Sequence, residues 1–368
     1  MLPETETWLA NKTSTAADWP VEELLAVKGA STVSVVLPAR NERETVGTIV
    51  ETIRRELVER VPLVDEILVI DSRSTDDTAA VAAAAGADVV AQDDVLPHLT
   101  QLSGKGEALW KSLAVTSGDL IVFIDADLLN FSPAFVTGLL GPLLTDPGVA
   151  YVKACYDRPY RDGPYRDGPY RDGPYRDGPY RDGPYRDGPY RDGPYRDGPY
   201  RDGAVAWNGI GAGGGRVTEL VARPLINLHW PLLAGVMQPL GGEYAGRRTL
   251  FERLPFVTGY GVELGLLLDV LDAAGLDALA QVDLGRREHS HQSTEALGAM
   301  SSQIMLTAWS RLERHGRIVP LMAPETALAQ FRRAENGHDL RVSDVGVDER
   351  PPMIGVPDYA AHTRQPQP

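Results

Sequence analysis

Short apolar runs alternate with helical patterns from residue 33 to residue 124, and this alternation restricts the possible folds more than any other feature of the chain. The apolar runs predict strands over residues 33–38, 66–71, 87–91 and 120–124. Apolar residues at helical spacing predict helices between them, over residues 41–53, 75–85 and 104–117. The alternation predicts an α/β fold whose sheet is mostly parallel and carries helices on both faces.

Two acidic residues, Asp125 and Asp127, follow the fourth apolar run. Their i, i+2 spacing places both carboxylates on one side of the strand's carboxyl end. In an open α/β sheet this is the edge where ligands bind. Two hard oxygen ligands there suit Mg²⁺ or Mn²⁺ carrying a diphosphate, which favours a nucleotide-linked substrate. A strand that ends in a solvated acidic turn is the alternative.

Polar segments also follow the first two strands, at residues 38–42 and 71–77. Glu42 is a candidate acceptor of hydrogen bonds from a ribose or a base. Asp71 and Ser72 are expected to face the same crevice as Glu42, because the carboxyl ends of parallel strands meet at one edge of a sheet. For each segment the alternative is a loop that caps a helix and binds nothing.

The predicted helix starts carry their own signals. Asn41 is predicted to cap the first helix, and Ser74 or Thr75 the second. Lys105 lies between two glycines before the third helix, where the glycines allow close backbone approach and the lysine could meet a phosphate. The spacing of a P-loop is absent, and no GxGxxG follows the first strand, which disfavours a dinucleotide site.

Two downstream segments suggest further ligands. A run of three glycines that ends at Gly215 is followed by Arg216 and Thr218, and this combination suits a phosphate or a carboxylate. The alternative is a flexible hinge. His289 and His291 follow a predicted strand over residues 278–284, and one imidazole could complete a metal site that begins at Asp127. A solvated or structural histidine pair is the alternative.

Charge and composition exclude several classes of protein. The 368 residues have a net charge of −15, which argues against nucleic acid as a partner, and no apolar run is long enough to span a membrane. The first residues have no apolar core of a signal peptide. Cys155, the single cysteine, is expected to be a buried core residue in a reducing compartment. These features predict a cytoplasmic protein.

A tandem repeat interrupts the chain. Residues 159–203 are nine copies of Pro-Tyr-Arg-Asp-Gly, each with one arginine and one aspartate. Proline and glycine at every fifth position disfavour a helix or a central strand, and tyrosine alone offers too little apolar surface to offset the ordering entropy. The repeat is therefore predicted to be a disordered insertion. A segment that binds partners through Tyr and Arg is the alternative.

Taken together, these motifs resemble a known family. Residues 35–42, 71–78, 104–110 and 123–127 are similar to the motifs of GT-A glycosyltransferases, whose fold is Rossmann-like. Residues 213–224, 238–244, 259–263 and 297–301 resemble more specifically the glucosyl-3-phosphoglycerate synthases of actinobacteria. The resemblance covers roughly residues 20–158 and 204–315.

The resemblance implies retaining transfer of glucose from a nucleotide sugar, commonly UDP-glucose, to the 2-hydroxyl of D-3-phosphoglycerate by a metal-dependent homodimer. The implied metal is Mg²⁺ or Mn²⁺, held by Asp127 and His289. The implied catalytic residues are Glu263 and Asp127. The residues implied to bind the nucleotide sugar are Pro38, Ala39, Arg40, Glu42, Ser72, Lys105, Asp125 and Leu240. The residues implied to bind the acceptor are Gly215, Arg216, Thr218, Tyr260 and His291.

The resemblance also implies a division of the chain. Residues 1–30 form a lead-in, residues 31–158 the half that binds the nucleotide sugar, and residues 159–203 the repeat insertion. Residues 204–334 form the acceptor-binding, catalytic and dimerisation half, and residues 335–368 a polar tail that is partly loose. Arg40 stands where relatives often have Leu, and His291 where they can have Asn. Another donor or acceptor on the same fold, such as GDP-mannose or a polyprenyl phosphate, and a non-catalytic protein that displays the repeat are the alternatives.

Overall fold

An eight-stranded sheet forms the centre of the fold in the computed structural model, which describes residues 1–157, 215–287, 293–334 and 337–359. The strands of this sheet are β1 (Thr13–Thr15), β2 (Val33–Ala39), β3 (Glu66–Asp71), β4 (Asp88–Ala91), β5 (Leu120–Phe123), β6 (Tyr151–Asp157), β7 (Tyr244–Arg247) and β9 (Leu279–Arg286). Their order is β1-β9-β6-β7-β5-β2-β3-β4. All pairs are parallel except those of β7, which runs antiparallel to both β5 and β6. The mostly parallel sheet is confirmed.

Helices cover both faces of this sheet, as the sequence predicts. They are α1 (Pro3–Asn11), α2 (Val21–Lys28), α3 (Val46–Ile53), α4 (Thr78–Ala85), α5 (Lys105–Ser112), α6 (Ala134–Thr145), α7 (Arg223–His229), α8 (Arg248–Phe251), α9 (Val262–Ala274) and α10 (Thr294–Arg314). The faces of β2 show the alternation directly: Val36 packs in the core with α5 and α9, whereas Val35 and Leu37 pack in the core with α3 and α6. Because helices pack on both faces of β2, both sets of alternating side chains are buried, and the strand contains only apolar or small residues.

Two helices begin later than predicted. The first begins at Val46, because Asn41 has a left-handed backbone (φ 60°) and its side chain accepts from the Thr75 amide at 2.8 Å instead of capping α3. The second begins at Thr78, where the Asp76 carboxylate accepts from the Thr78 amide at 3.0 Å. The predicted caps Asn41, Ser74 and Thr75 are therefore wrong. The third helix is shorter than predicted and ends at Ser112.

Ordered strands occur near the carboxyl end of the described chain. Strands β10 (Ala327–Ala334) and β11 (Gly337–Asp344) form an antiparallel hairpin, and β12 (Glu349–Arg350) pairs with β8 (Phe256–Val257). Arg350 is buried and donates two hydrogen bonds of 2.7 Å to Glu107, which is fully buried on α5. Met353 is also fully buried. The segment that sequence composition marks as polar thus closes over α5.

Some predictions fall outside the described residues, namely those for the repeat and for both histidines of the 289–291 segment. Cys155 is buried as predicted, and burial raises the pKa of its thiol to about 12. In the described part of the chain, none of the helices has the length and apolar composition needed to cross a membrane. Both predicted halves supply strands to the one sheet, and their functional division stays a prediction.

Candidate active site

The loops after β2 and β3 are joined at the carboxyl edge of the sheet. The Ser72 amide donates to the Ala39 carbonyl oxygen at 2.8 Å, and the Glu42 amide donates to the Thr78 hydroxyl at 2.8 Å. Ser72 also donates through its hydroxyl to the Gln92 side chain at 2.8 Å. The structure therefore brings together the two polar segments that the sequence predicts to share a crevice.

The remaining predicted donor-binding residues of the first segment lie on the same loop. Pro38 is half-buried, Ala39 is buried and Arg40 is exposed. Ala39 lies directly beside Asp71 in the register of β2 and β3. Arg40 is therefore open to solvent at this end of β2, whereas Ala39 is packed beside β3.

Lys105 is fixed at the start of α5 by its two glycine neighbours. Gly104 has a φ of 112°, and a Cβ built on Gly106 would lie 1.7 Å from the Val257 carbonyl oxygen. The Gly106 amide donates to the Thr258 carbonyl oxygen at 3.0 Å. The glycines do allow close backbone approach, and this approach joins α5 to the chain after β8. It leaves the Lys105 side chain directed at the sheet edge.

Lys105 joins two of the predicted site carboxylates. Its ammonium lies 2.5 Å from an Asp125 oxygen and 2.8 Å from a Glu263 oxygen. Glu263 is buried and lies in the first turn of α9, where the helix dipole favours a negative charge. Burial opposes the lysine charge, but Asp125 and Glu263 outweigh it and raise the pKa of Lys105 above its ordinary value. Lys105 is therefore cationic.

Arg287, which the sequence analysis does not single out, completes a cluster of ion pairs. Its guanidinium lies 2.8 Å from Asp125, 3.2 Å from Asp127 and 2.9 Å from the fully buried Glu243. Glu243 also accepts from the Tyr156 hydroxyl at 2.8 Å. We call the six residues the site cluster: Lys105, Asp125, Asp127, Glu243, Glu263 and Arg287.

The acids at this edge hold more negative charge than their cations neutralise. Burial, followed by the Asp125 charge, raises the pKa of Asp127 to about 6, although Arg287 acts in the opposite direction. Burial, followed by the charges of Asp127 and Asp125, raises the pKa of Glu42 to about 7. A hard divalent cation is suited to such a set of carboxylate oxygens, so these residues fit the predicted metal.

The predicted metal ligand His289 and the predicted acceptor residue His291 lie outside the described residues. In the described ranges, no three His, Cys, Asp or Glu side chains are grouped as a ready-made metal site. Of the two predicted metal ligands, Asp127 and His289, only Asp127 lies in the described part of the chain. There it forms an ion pair with Arg287.

The predicted acceptor residues lie near α10. Arg216 is exposed and donates to the Thr294 hydroxyl at 3.4 Å, and the Tyr260 amide donates to Gln303 at 2.9 Å. Gly215 is half-buried, while Thr218 is only 1% exposed, so its hydroxyl does not face solvent in this conformation. Their roles stay predictions.

Leu240 lies in a loop that touches the site cluster. The loop comprises residues 238–243 and precedes β7, and we call it the pre-β7 loop. Leu240 is half-buried, and a Cβ built on Gly242 would lie 2.0 Å from an Asp125 oxygen. Glycine at this position therefore lets the loop backbone approach the carboxylate.

The comparisons with known proteins agree with this geometry. Residues 34–190 match the model of glycosyl transferase family 2. The glucosyl-3-phosphoglycerate synthase of Mycolicibacterium paratuberculosis is 46% identical over 307 residues, which cover 83% of this chain and 80% of that protein. The chain belongs to the glucosyl-3-phosphoglycerate synthase family. It is therefore a glycosyltransferase that transfers a hexose. A family member from Petrotoga mobilis is 38% identical over 341 residues, covering 92% of each chain.

Solved structures of the family superpose on the fold. Glucosyl-3-phosphoglycerate synthase from Mycobacterium tuberculosis, in complex with Mn²⁺, UDP and glucosyl-3-phosphoglycerate, has a TM-score of 0.69 and 41% identity, with 91% of this chain and 95% of that chain covered. Mannosyl-3-phosphoglycerate synthase from Rubrobacter xylanophilus has a TM-score of 0.78 and 37% identity, with 95% and 99% covered. These likenesses confirm the GT-A type of fold.

Proposed function

We propose that the protein transfers glucose from UDP-glucose to the 2-hydroxyl of D-3-phosphoglycerate, with retention at the anomeric carbon. The observation that carries the proposal is Lys105, which joins the strand-end carboxylate Asp125 to the helix carboxylate Glu263. Relatives support it, since the structure from Mycobacterium tuberculosis was solved with Mn²⁺, UDP-glucose and phosphoglyceric acid at 41% identity. The same sheet edge thus has groups for a nucleotide, a sugar and a cation.

A divalent metal, Mg²⁺ or Mn²⁺, is the proposed cofactor, with Asp127 and His289 as its protein ligands. Structures of relatives hold Mn²⁺ or Mg²⁺ together with UDP. When bound, the metal neutralises the negative charge that develops on the leaving diphosphate. The half-buried position of Asp127 beside Asp125 supports its assignment.

The other site residues take roles around this centre. Pro38, Ala39, Arg40, Glu42 and Ser72 are proposed to hold the uracil and ribose, and Lys105 to lie along the nucleotide sugar. Asp125 is proposed to contact the ribose or the sugar, and the Leu240 backbone the sugar. Glu263 is proposed to stabilise the positive charge that develops at the anomeric carbon, because a buried carboxylate is a strong electrostatic partner for an oxocarbenium ion.

The transfer is proposed to occur by same-face attack. The acceptor hydroxyl oxygen bonds to the anomeric carbon as the bond to the leaving phosphate oxygen breaks, and that phosphate oxygen takes the hydroxyl proton. The motifs of the sequence include no obvious covalent nucleophile, which favours this direct attack. The test is incubation of the purified protein with UDP-glucose, Mg²⁺ and 3-phosphoglycerate. We expect UDP release that depends on the acceptor, and the absence of such acceptor-dependent release would contradict the proposal.

Mannosyl transfer to the same acceptor is the second candidate. The observation that favours it is the TM-score of 0.78 with the mannosyl-3-phosphoglycerate synthase of Rubrobacter xylanophilus. A panel of UDP-glucose, GDP-glucose and GDP-mannose, assayed with 3-phosphoglycerate, separates the two candidates. We expect the highest kcat/KM with UDP-glucose.

Gly215, Arg216, Thr218, Tyr260 and His291 are proposed to bind the acceptor. Arg216 is exposed on the first turn after the glycine run, and a guanidinium is well suited to binding a phosphate. We expect Arg216→Ala to raise the acceptor KM on the order of 10-fold, while the KM of UDP-glucose stays within about twofold, because one charge-assisted hydrogen bond contributes about 1.5–3 kcal/mol. Steady-state kinetics with each substrate varied in turn measures both values. An unchanged acceptor KM would reject the phosphate contact.

A homodimer in the cytoplasm is proposed as the working form. The hairpin of β10 and β11 exposes Phe331, Leu340 and Val342 (70%, 58% and 60%), and Phe331 lies directly opposite Leu340. An exposed apolar face on a two-stranded hairpin is typical of an interface. The single buried cysteine fits a reducing compartment. Sedimentation of the full chain tests the dimer, and a particle of single-chain mass would reject it.

A further inference from the structure

The pre-β7 loop forms a wall of the site cluster. Gly242 lies against Asp125, and the carboxylate of Glu243 binds Arg287 at 2.9 Å. Strand β6 holds this loop from behind: the Ala154 amide donates to the Glu243 carbonyl oxygen at 3.1 Å, and Gln238 donates to the Tyr156 carbonyl oxygen at 3.3 Å. The loop is thus held at both of its ends, through the side chain of Gln238 and through the backbone of Glu243.

Lys153 supports the middle of the same loop. Its side chain is 1% exposed, and its ammonium donates to the Gly241 carbonyl oxygen. The ammonium also lies 4.5 Å from the centre of the Tyr244 ring, which is its partner in the register of β6 and β7. In the described part of the chain, no carboxylate oxygen lies within ion-pair distance of this nitrogen.

A buried ammonium at this position is unfavourable for stability alone. Burial lowers the pKa of Lys153 to about 7, against the opposing influence of Glu263. A methionine side chain would fill a similar volume without this desolvation, and replacing buried charges by apolar groups is often neutral or stabilising. The lysine thus has a desolvation cost that an apolar side chain would avoid, and what it supplies in return is a hydrogen bond to a loop carbonyl oxygen at the site.

We propose that Lys153 is a positioning residue that fixes the Gly241 carbonyl group, and through it the backbone of residues 240–242 that faces the transferred sugar. The proposal rests on the proposed function for the identity of that sugar. Lys153 acts through the loop and does not touch the reacting atoms. Its loss should therefore weaken recognition of the sugar and leave recognition of the nucleotide alone.

The test is the Lys153→Met variant of the full chain, with Lys28→Met as the matched control. Like Lys153, Lys28 is buried (8% exposed) and donates to a backbone carbonyl oxygen, that of Pro62 at 3.3 Å. It lies away from the site, at the end of α2. There it also binds Asp65, which accepts from the Val33 amide at the amino end of β2. Isothermal titration with UDP-glucose and with UDP, each with Mn²⁺ and without acceptor, gives the two affinities for each variant.

Lys153→Met is expected to weaken UDP-glucose binding about 10-fold and UDP binding by less than about twofold, because the loop is proposed to contact the sugar and not the nucleotide. Lys28→Met is expected to lower the melting temperature and change neither affinity. Equal weakening for UDP and UDP-glucose, or no weakening, would overturn the proposal. If Lys153→Met does not fold, Lys153→Arg is titrated instead, since it keeps the charge but shifts the donor atom, and the same contrast is expected. A wild-type protein that binds no UDP-glucose would instead contradict the proposed function.

Discussion

Two clusters of buried ion pairs in this molecule differ in their charge balance. In the site cluster, Lys105 and Arg287 face four carboxylates, those of Asp125, Asp127, Glu243 and Glu263. In the second cluster, Arg311 and Arg314 face two, those of Asp269 and Glu349, with Arg311 bound to each at 2.6 Å. We call the second set the α9–α10 cluster, because Asp269 and both arginines lie on these two helices.

The difference separates a ligand site from a structural contact. The α9–α10 cluster is neutral by itself, so it needs no further partner and stabilises the packing of the two helices. The site cluster is left with an excess of negative charge. Burial, followed by the charge of Asp125, raises the pKa of Asp127 to about 6. Such an excess favours binding of an external cation, and its size corresponds to one divalent ion.

The strongest way to break this comparison is the Asp127→Asn variant. We expect kcat/KM to fall on the order of 10³-fold, because the proposed metal ligand and its charge are lost. The melting temperature without metal is expected to stay the same or to rise, since the lost carboxylate is repelled by Asp125. Initial rates of UDP release and thermal melting measure the two effects. A large loss of stability with retained turnover would reverse the assignment of the clusters.

The opposite result is expected for Asp269→Asn in the α9–α10 cluster. Removal of one carboxylate leaves the buried Arg311 with Glu349 alone, which should lower the free energy of unfolding by about 3 kcal/mol. The kcat and KM per folded molecule should change by less than about twofold. Urea unfolding and steady-state kinetics of the same sample give both values. A selective loss of activity would show that this cluster also serves the site.

The pH dependence of the free energy of unfolding tests Lys153, which lies next to the site cluster and carries no ion pair within the described residues. Burial lowers the pKa of Lys153 from 10.5 to about 7 in the folded protein. Between these values the folded lysine is neutral and the unfolded one is protonated, so unfolding takes up a proton and the free energy of unfolding rises with pH. We expect Lys153→Met to lack about 2 kcal/mol of the rise seen in the wild type from pH 7 to pH 9.

Urea unfolding of the wild type and of Lys153→Met across this pH range measures the difference. Lys28→Met serves again as the control and should keep the wild-type slope. Identical slopes for wild type and Lys153→Met would show that the buried amine keeps its ordinary pKa.

The smallest expected effect concerns Glu243, which binds Arg287, the ion-pair partner of Asp127. Glu243→Gln keeps the shape of a fully buried side chain and removes one negative charge next to Arg287. Binding of Mn²⁺ should weaken about 10-fold, as is typical for a group that supports a metal ligand. Calorimetric titration with Mn²⁺ in the absence of nucleotide tests this. Tighter binding would contradict the view that excess negative charge draws the cation.

The part of the fold that sequence predicts best is the part set by local pattern. Strands β2, β3 and β5 lie within one residue of their predicted bounds, because each is built around a run of buried apolar residues. The starts of α3 and α4 were predicted wrongly. Asn41 bonds to Thr75 across a loop, and no local pattern reports a contact between two different loops.

The site shows the same division. Asp125, Lys105 and Glu263 could be found from motifs, since each sits at the end of a strand or the start of a helix. Arg287 and Glu243 could not, because Arg287 meets Asp125 and Glu243 only after β7 and β9 join the sheet. The one signal in the sequence is their position. Glu243 lies within the segment 238–244, which resembles the family, and Arg287 lies two residues before His289.

The bond between Glu107 and Arg350 has a consequence for synthesis of the chain. The two residues lie 243 positions apart, and Glu107 is fully buried on the helix that begins with Lys105. While the ribosome is still adding residues, Glu107 has no guanidinium partner, and docking of that helix would leave its carboxylate without this partner in a dry interior. The nascent polypeptide therefore lacks this buried ion pair until translation has passed residue 350, and among the described residues Glu107 has only Lys111 on its own helix as a partner, so we expect shorter products to be less stable.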